Sequence, residues 1–153
     1  MPILEEVIKT KPIKDPHSRA YLNIMYTGTW MVGRINQVLK PFDLTEPQYN
    51  VLRILRGQNG DAMPLYEIQD RMIQKMSNVS RLIDKLLDKG LVVRKECRDN
   101  RRKVDIMITR KGLDMLDEVD PDLTKLFDAM AKNLKKDDAR LLSEMLDELR
   151  KDV

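Results

Sequence analysis

The chain has 153 residues and a single cysteine, so it is long enough to close one core of its own but cannot hold an internal disulfide. Its opening, "MPILEEVIKTKPIKDP", has no apolar signal-type segment, and nothing after it approaches membrane-spanning length, so a cytoplasmic protein with no membrane partner is expected. The net charge of +3 is unevenly spread: residues 1–70 sum to zero, residues 71–111 to +8 and residues 112–153 to −5. A basic middle third either meets a polyanion or is ordinary solvated surface, and charge alone does not choose between them.

The first expected helix opens at "DPHSRAYLNIMYTGTWMVGRINQVLKPF", with Asp15 as N-cap and Pro16 at the first helical position. Tyr21, Ile24, Met25, Met31, Ile35, Val38, Leu39 and Phe42 recur at three- and four-residue steps, which puts them on one broad face. Gly28 and Gly33 weaken this helix, or else mark the close approach of another one. Thr45 then caps "EPQYNVLRILRG", with Tyr49, Leu52 and Leu55 inward and Gly57 and Gly60 closing it.

A short helix, "LYEIQDRMI", follows "DAMP" and is apolar at Leu65, Ile68 and Met72. Next comes "SNVSRLIDKLLDKG", with Ser77 as the expected N-cap and Gly90 as the stop; Val79, Leu82, Ile83, Leu86 and Leu87 keep helical spacing without a miss. "LVVRKEC" and "KVDIMIT" read as two strands of a hairpin. In the second, Val104, Ile106 and Ile108 fall on one side and Asp105, Met107 and Thr109 on the other. Helices resume at "RKGLDMLDEVDPDLTKLFDAMAKNLKK", expected to break or bend near Pro121, and end with "DDARLLSEMLDELRKDV", capped by Asp137 or Asp138. The fold class expected is mainly α with a small β-hairpin, an α+β chain.

Two consecutive short helices leading straight into a strand–tip–strand hairpin describe a winged helix-turn-helix. The second helix is aliphatic behind and presents Ser77, Asn78, Ser80, Arg81, Asp84 and Lys85 outward. Arg can bridge O6 and N7 of guanine, Asn the N6 and N7 of adenine, and a helix N-terminus favours phosphate. Polar outward faces are common, so the hairpin tip carries the weight. Arg98, Arg101, Arg102 and Lys103 repel one another unless an anion neutralises them, and a duplex offers closely spaced phosphates and a negative minor groove.

"DKGLVVRK" followed by "RDNRRKVDIMITRKG" resembles the signature of the MarR family of bacterial transcription regulators, through Gly90, Leu91, Val92, Asp99, Arg101, Thr109 and Gly112. "LKPFDLTEPQYNVLRIL" is likewise similar to the family's second helix through Leu44, Thr45 and Gln48. The resemblance implies a winged-helix lobe at about 45–111 and dimerisation helices at about 1–42 and 112–153. It also implies major-groove contacts at Ser77–Arg81, minor-groove or backbone contacts at Asp99–Lys103, and an Asp99 that braces the wing by pairing with a nearby Arg. The partner would be double-stranded DNA carrying a pseudo-palindromic operator, read by a homodimer that acts as a repressor.

Two further apolar stripes fit that dimer: Leu113, Leu116, Val119, Leu123, Leu126, Phe127, Met130 and Leu134, then Leu141, Leu142, Met145, Leu146 and Leu149. Packing against the chain's own first helix is the alternative. Family members often take a small aromatic ligand between dimer helices and DNA lobe. Tyr21, Tyr26, Trp30 and Tyr49 could line such a cleft, although aromatics at this spacing read first as core. Lys95 and Arg98 would favour the thiolate of Cys97, so a redox-responsive regulator is an alternative; a half-buried strand residue is the plainer reading, since no second cysteine could resolve a sulfenic acid. One histidine, one cysteine and no phosphate-cradling glycine loop imply no cofactor, no metal and no enzyme. The competing class is a winged-helix adaptor whose basic wing meets an acidic protein.

Overall fold

The structure, a computed structural model, describes residues 2–97 and 99–152, without the side chains of Cys97, Asn100, Arg101 and Arg102. The chain divides into two compact units, one running to Glu46 and the other from Pro47 onward.

The first unit holds α1 (Leu4–Val7), which the sequence did not announce, and α2 (Pro16–Leu39), followed by a 3-10 turn at Lys40–Phe42. The α2 start is as expected: an Asp15 carboxylate oxygen accepts the Ser18 N–H at 2.7 Å, and Pro16 occupies a position where its missing N–H costs nothing. That hydrogen bond holds the Asp15 carboxyl below its usual value. Arg19 grips Glu5 with two hydrogen bonds of 2.7 and 3.1 Å, tying α1 to α2 and lowering the Glu5 carboxyl.

The broad apolar face of α2 is present and is covered only toward its C-terminal end. Leu39 is fully buried and Met31, Ile35, Val38 and Phe42 are half-buried, but Tyr21, Ile24 and Met25 are exposed, as are Leu22, Tyr26 and Trp30. Periodicity found the apolar face, yet among the described residues its first half stays exposed. Among the described residues neither Gly28 nor Gly33 has another atom where a Cβ would stand, so neither marks a close helix contact there.

In the second unit, α3 (Glu46–Arg56, whose first residue falls before the division) buries Val51, Leu52 and Leu55 completely. A two-residue strand, β1 (Met63–Pro64), leads into α4 (Leu65–Arg71) and then α5 (Val79–Asp88). The hairpin is β2 (Val92–Cys97) and β3 (Asn100–Ile108), and the helices α6 (Arg110–Ala131) and α7 (Lys136–Leu149) complete the chain. The sheet therefore has three antiparallel strands in the order β1-β3-β2, not two. Met63 pairs with Ile106 through a contact too distant in sequence for periodicity to reveal.

Several boundaries also differ from expectation. Asn78, not Ser77, is the N-cap of α5, and its side chain makes no capping bond. The α6 helix runs unbroken through Pro121, held on either side by fully buried Val119 and nearly buried Leu123. Lys135 rather than Asp137 or Asp138 caps α7; both carboxylates sit in its first turn, where the helix dipole favours them. Among the described residues, no helix is long and apolar enough to cross a membrane.

Candidate nucleic-acid interface

The α5 helix has two faces that differ as the sequence requires. Val79, Leu82, Ile83 and Leu86 are buried and Leu87 half-buried, anchoring the helix to the lobe. Ser77, Asn78, Ser80, Arg81, Asp84 and Lys85 are all exposed on the other side. Gly90, at φ +70°, supplies the left-handed residue that ends the helix, and the Leu91 N–H returns to the Leu86 carbonyl at 3.0 Å.

The hairpin follows at once and stays beside α5. An Arg94 guanidinium nitrogen of β2 lies 2.5 Å from an Asp84 carboxylate oxygen of α5, an ion pair the sequence reading did not single out. Both side chains are more than half exposed, so the pair sets geometry rather than adding much stability, about 0–1 kcal/mol. A shallow cavity of about 310 Å³ lies where the elements meet, lined by Leu65, Ser80, Ile83, Arg94, Val104 and Ile106. The exposed face of α5 and the hairpin thus lie side by side.

At the tip, β3 begins earlier than expected. Val104 pairs with Glu96, but the next pair is Asn100 with Cys97, so residues 101–103 belong to β3 as an irregularity in the ladder and not to the connection. An insertion of this kind bends and twists a strand near its end. Lys103 and Asp99 are exposed. Arg98 lies outside the described residues, as do the side chains of Cys97, Arg101 and Arg102, and with them the arginine partners expected for Asp99 and the Cys97 thiolate.

Behind the hairpin, Thr109 caps α6: its hydroxyl accepts the Gly112 N–H at 3.1 Å and donates to the Gly90 carbonyl at 2.7 Å. One residue therefore joins the end of α5, the end of β3 and the start of α6. Gly112 fits because it has no side chain; a Cβ there would lie 2.3 Å from the Leu91 carbonyl oxygen and 2.7 Å from Ile108 Cγ1.

Sequence reasoning missed the polar residues buried on and around α3. Glu46, Gln48 and Asn50 are all at most 7% exposed. Asn36 accepts the Glu46 N–H at 2.8 Å, but Glu46 Oε2 has no partner, and burial pushes this carboxyl up. Lys89, just beyond α5, reaches Gln48 Oε1 at 3.5 Å, and Asn50 Oδ1 accepts the Ile73 N–H at 3.0 Å. On the α6 side, Asp120 receives Arg56 at 2.6 Å and the Tyr49 hydroxyl at 3.3 Å. Burial first, and then the Asp120 charge, raise the Tyr49 hydroxyl. The available signal was polar residues in the interior of an otherwise amphipathic helix, where Asn in particular is a poor helix former.

Of the four aromatics considered for a ligand cleft, Tyr49 is thus committed to Asp120 in the second unit, whereas Tyr21, Tyr26 and Trp30 are exposed on α2 in the first.

Two short helices, an exposed polar face on the second and an adjoining β-hairpin define a winged helix-turn-helix. A family model described as "MarR family" matches residues 44–104. The transcriptional regulator MhqR of Bacillus subtilis (strain 168) is 30% identical over 129 residues, covering 84% of this chain and 83% of its own. The transcriptional repressor IacR of Pseudomonas putida is 27% identical, over 87% of this chain and 83% of its own. Among solved structures, NadR in complex with 4-hydroxyphenylacetate superposes with a TM-score of 0.70 at 19% identity, over 94% of this chain and 100% of that one. The chain belongs to the MarR family: it is a DNA-binding transcriptional regulator.

Proposed function

We propose that this regulator is a homodimeric repressor, not an enzyme, that recognises a pseudo-palindromic operator in the cytoplasm. Ser77, Asn78, Ser80, Arg81 and Lys85 contact the major groove, Arg81 reading guanine and Asn78 adenine or phosphate. Arg98, Arg101, Arg102 and Lys103 neutralise phosphates or enter the adjacent minor groove, with Asp99 bracing the tip. The observation that carries this reading is the exposed face of α5 held beside β2 by the Arg94–Asp84 pair.

The dimer is supported by apolar surface that the single chain leaves open. Tyr21, Leu22, Met25 and Trp30 on α2 are exposed, and so are Phe127, Leu134, Leu141, Leu142 and Met145 toward the other end. Each unit thus carries large apolar side chains that its own chain leaves exposed, and a second copy of the chain would cover them. A two-fold dimer presents two reading helices roughly 34 Å apart, one turn of the duplex. Release by a small aromatic ligand is supported by the NadR complex, a protein of the same fold, and would act by shifting the pair between spacings that do and do not fit that turn.

Selection of bound duplexes from a random pool tests the proposal. An enriched inverted repeat with half-sites about one helical turn apart is expected. Failure to enrich any sequence, with binding that tracks only length and salt, would favour the adaptor class.

A further inference from the structure

We propose that Asn50 is a positioning residue for DNA reading, which sets the pose of the α5 N-terminus by tying down the segment in front of it. The inference rests on the reading role of α5. Helix-turn-helix connections usually span three or four residues, and their shortness fixes the angle between the two helices. Here α4 ends at Arg71 and α5 begins at Val79, leaving residues 72–78 between them without regular structure. A connection of that length does not fix the angle alone.

The segment is anchored at its ends, with Met72 and Val79 both nearly fully buried. Between those anchors packing is partial: Gln74 and Met76 are half-buried, but Ile73 is 76% exposed, and Lys75, Ser77 and Asn78 face solvent. The Asn78 side chain does not cap α5. Two polar contacts, from Gln69 to the Met76 carbonyl and from Lys75 to the Asp70 carbonyl, join the segment to α4 and can move with it. Asn50 differs because it reaches in from α3, whose other side is fixed by Val51, Leu52 and Leu55 in the core.

Its carboxamide oxygen accepts the Ile73 N–H at 3.0 Å, and the side chain is only 7% exposed. An interior helix position with apolar residues on either side is a poor place for Asn on propensity alone. What Asn supplies there is an acceptor aimed at a main-chain donor that packing leaves unheld. A buried, directional contact of this kind fixes one geometry where an apolar side chain would permit several.

Amide hydrogen exchange on the full chain without DNA gives the first test. In the wild type the Ile73 amide should exchange well behind those of Gln74 and Lys75. In Asn50→Leu it should speed up about tenfold while the α3 amides of Leu52 and Leu55 hold their protection. The second arm measures affinity for the duplex selected by the wild type and for its scrambled version. Asn50→Leu should lower the ratio of the two about tenfold at an unchanged salt slope, and Asn50→Asp, which keeps the acceptor, should restore most of it. Should the Leu variant not fold, Asn50→Ala removes the acceptor without added bulk and is read in the same way. An unprotected wild-type Ile73 amide overturns the proposal, as does an unchanged affinity ratio after protection is lost. Equal weakening on both duplexes also overturns it. The exchange arm needs no DNA, so its failure is distinct from failure to find an operator.

Discussion

Gly112→Ala is the substitution whose effect the geometry states most clearly. Gly112 stands in the first turn of α6, where alanine would ordinarily gain about 1 kcal/mol of helix propensity. The added methyl, however, would sit 2.3 Å from the Leu91 carbonyl oxygen and 2.7 Å from Ile108 Cγ1. Ile108 can rotate or lean away; the carbonyl cannot, because it accepts the Thr109 N–H at 3.0 Å within the turn that joins α5 to β2. Overpacking of this kind costs about 1–3 kcal/mol, and a backbone collision belongs at or above the upper end. Set against the propensity gain, a net loss of about 2 kcal/mol is expected, a fall of about 4–8 °C in Tm for a protein of this size. Thermal and urea denaturation of both proteins at equal concentration, so that association does not confound the comparison, would measure it. An alanine variant as stable as the wild type, or more so, would refute the close packing of α6 on the wing.

Three other substitutions probe separate features. Leu86→Ala, at a fully buried position behind the reading face, should lose about 2–5 kcal/mol in urea denaturation, and a loss under 1 kcal/mol would mean that α5 is not anchored there. Lys103→Ala should lower the magnitude of the slope of log K against log salt by about 1 on any duplex; an unchanged slope removes this residue from the phosphate contacts. Glu46 has its carboxyl raised by burial, so the folded state binds the proton more tightly than the unfolded state. Its penalty is absent below the ordinary carboxylate range and grows as pH climbs toward the raised value. Glu46→Gln should therefore stabilise the protein more at pH 7 than near pH 4, and an equal effect at the two pH values in thermal denaturation would refute the buried, unpaired carboxyl.

What the sequence announced and what it hid divide along physical lines. Local signals were legible: the Asp15 cap, the unbroken spacing of Val79, Leu82, Ile83 and Leu86, and the left-handed stop at Gly90 each depend on a few adjacent residues. The exposed polar face of α5 followed directly, since it is what remains when the aliphatic side is buried. Long-range pairing was not legible. Nothing around Met63 and Pro64 announces a strand, because two residues carry no period and the partner lies some forty residues on. The α2 stripe shows the complementary limit: spacing identifies an apolar face but not what covers it. Pro121 was expected to break or bend α6; the helix is not broken there, because tertiary burial of Val119 and Leu123 outweighs one lost hydrogen bond. Buried polar residues such as Asn50 were hidden because hydrophobic patterning treats every polar side chain as outward.

If the outward side of α5 distinguishes one base sequence from another, titration of Arg81→Ala against the selected duplex and its scrambled counterpart, at one salt concentration, will show it. A loss of about 1–3 kcal/mol is expected on the selected duplex and little change on the scrambled one. Equal losses on both would make Arg81 a phosphate contact, and no loss on either would take the face of α5 out of base reading.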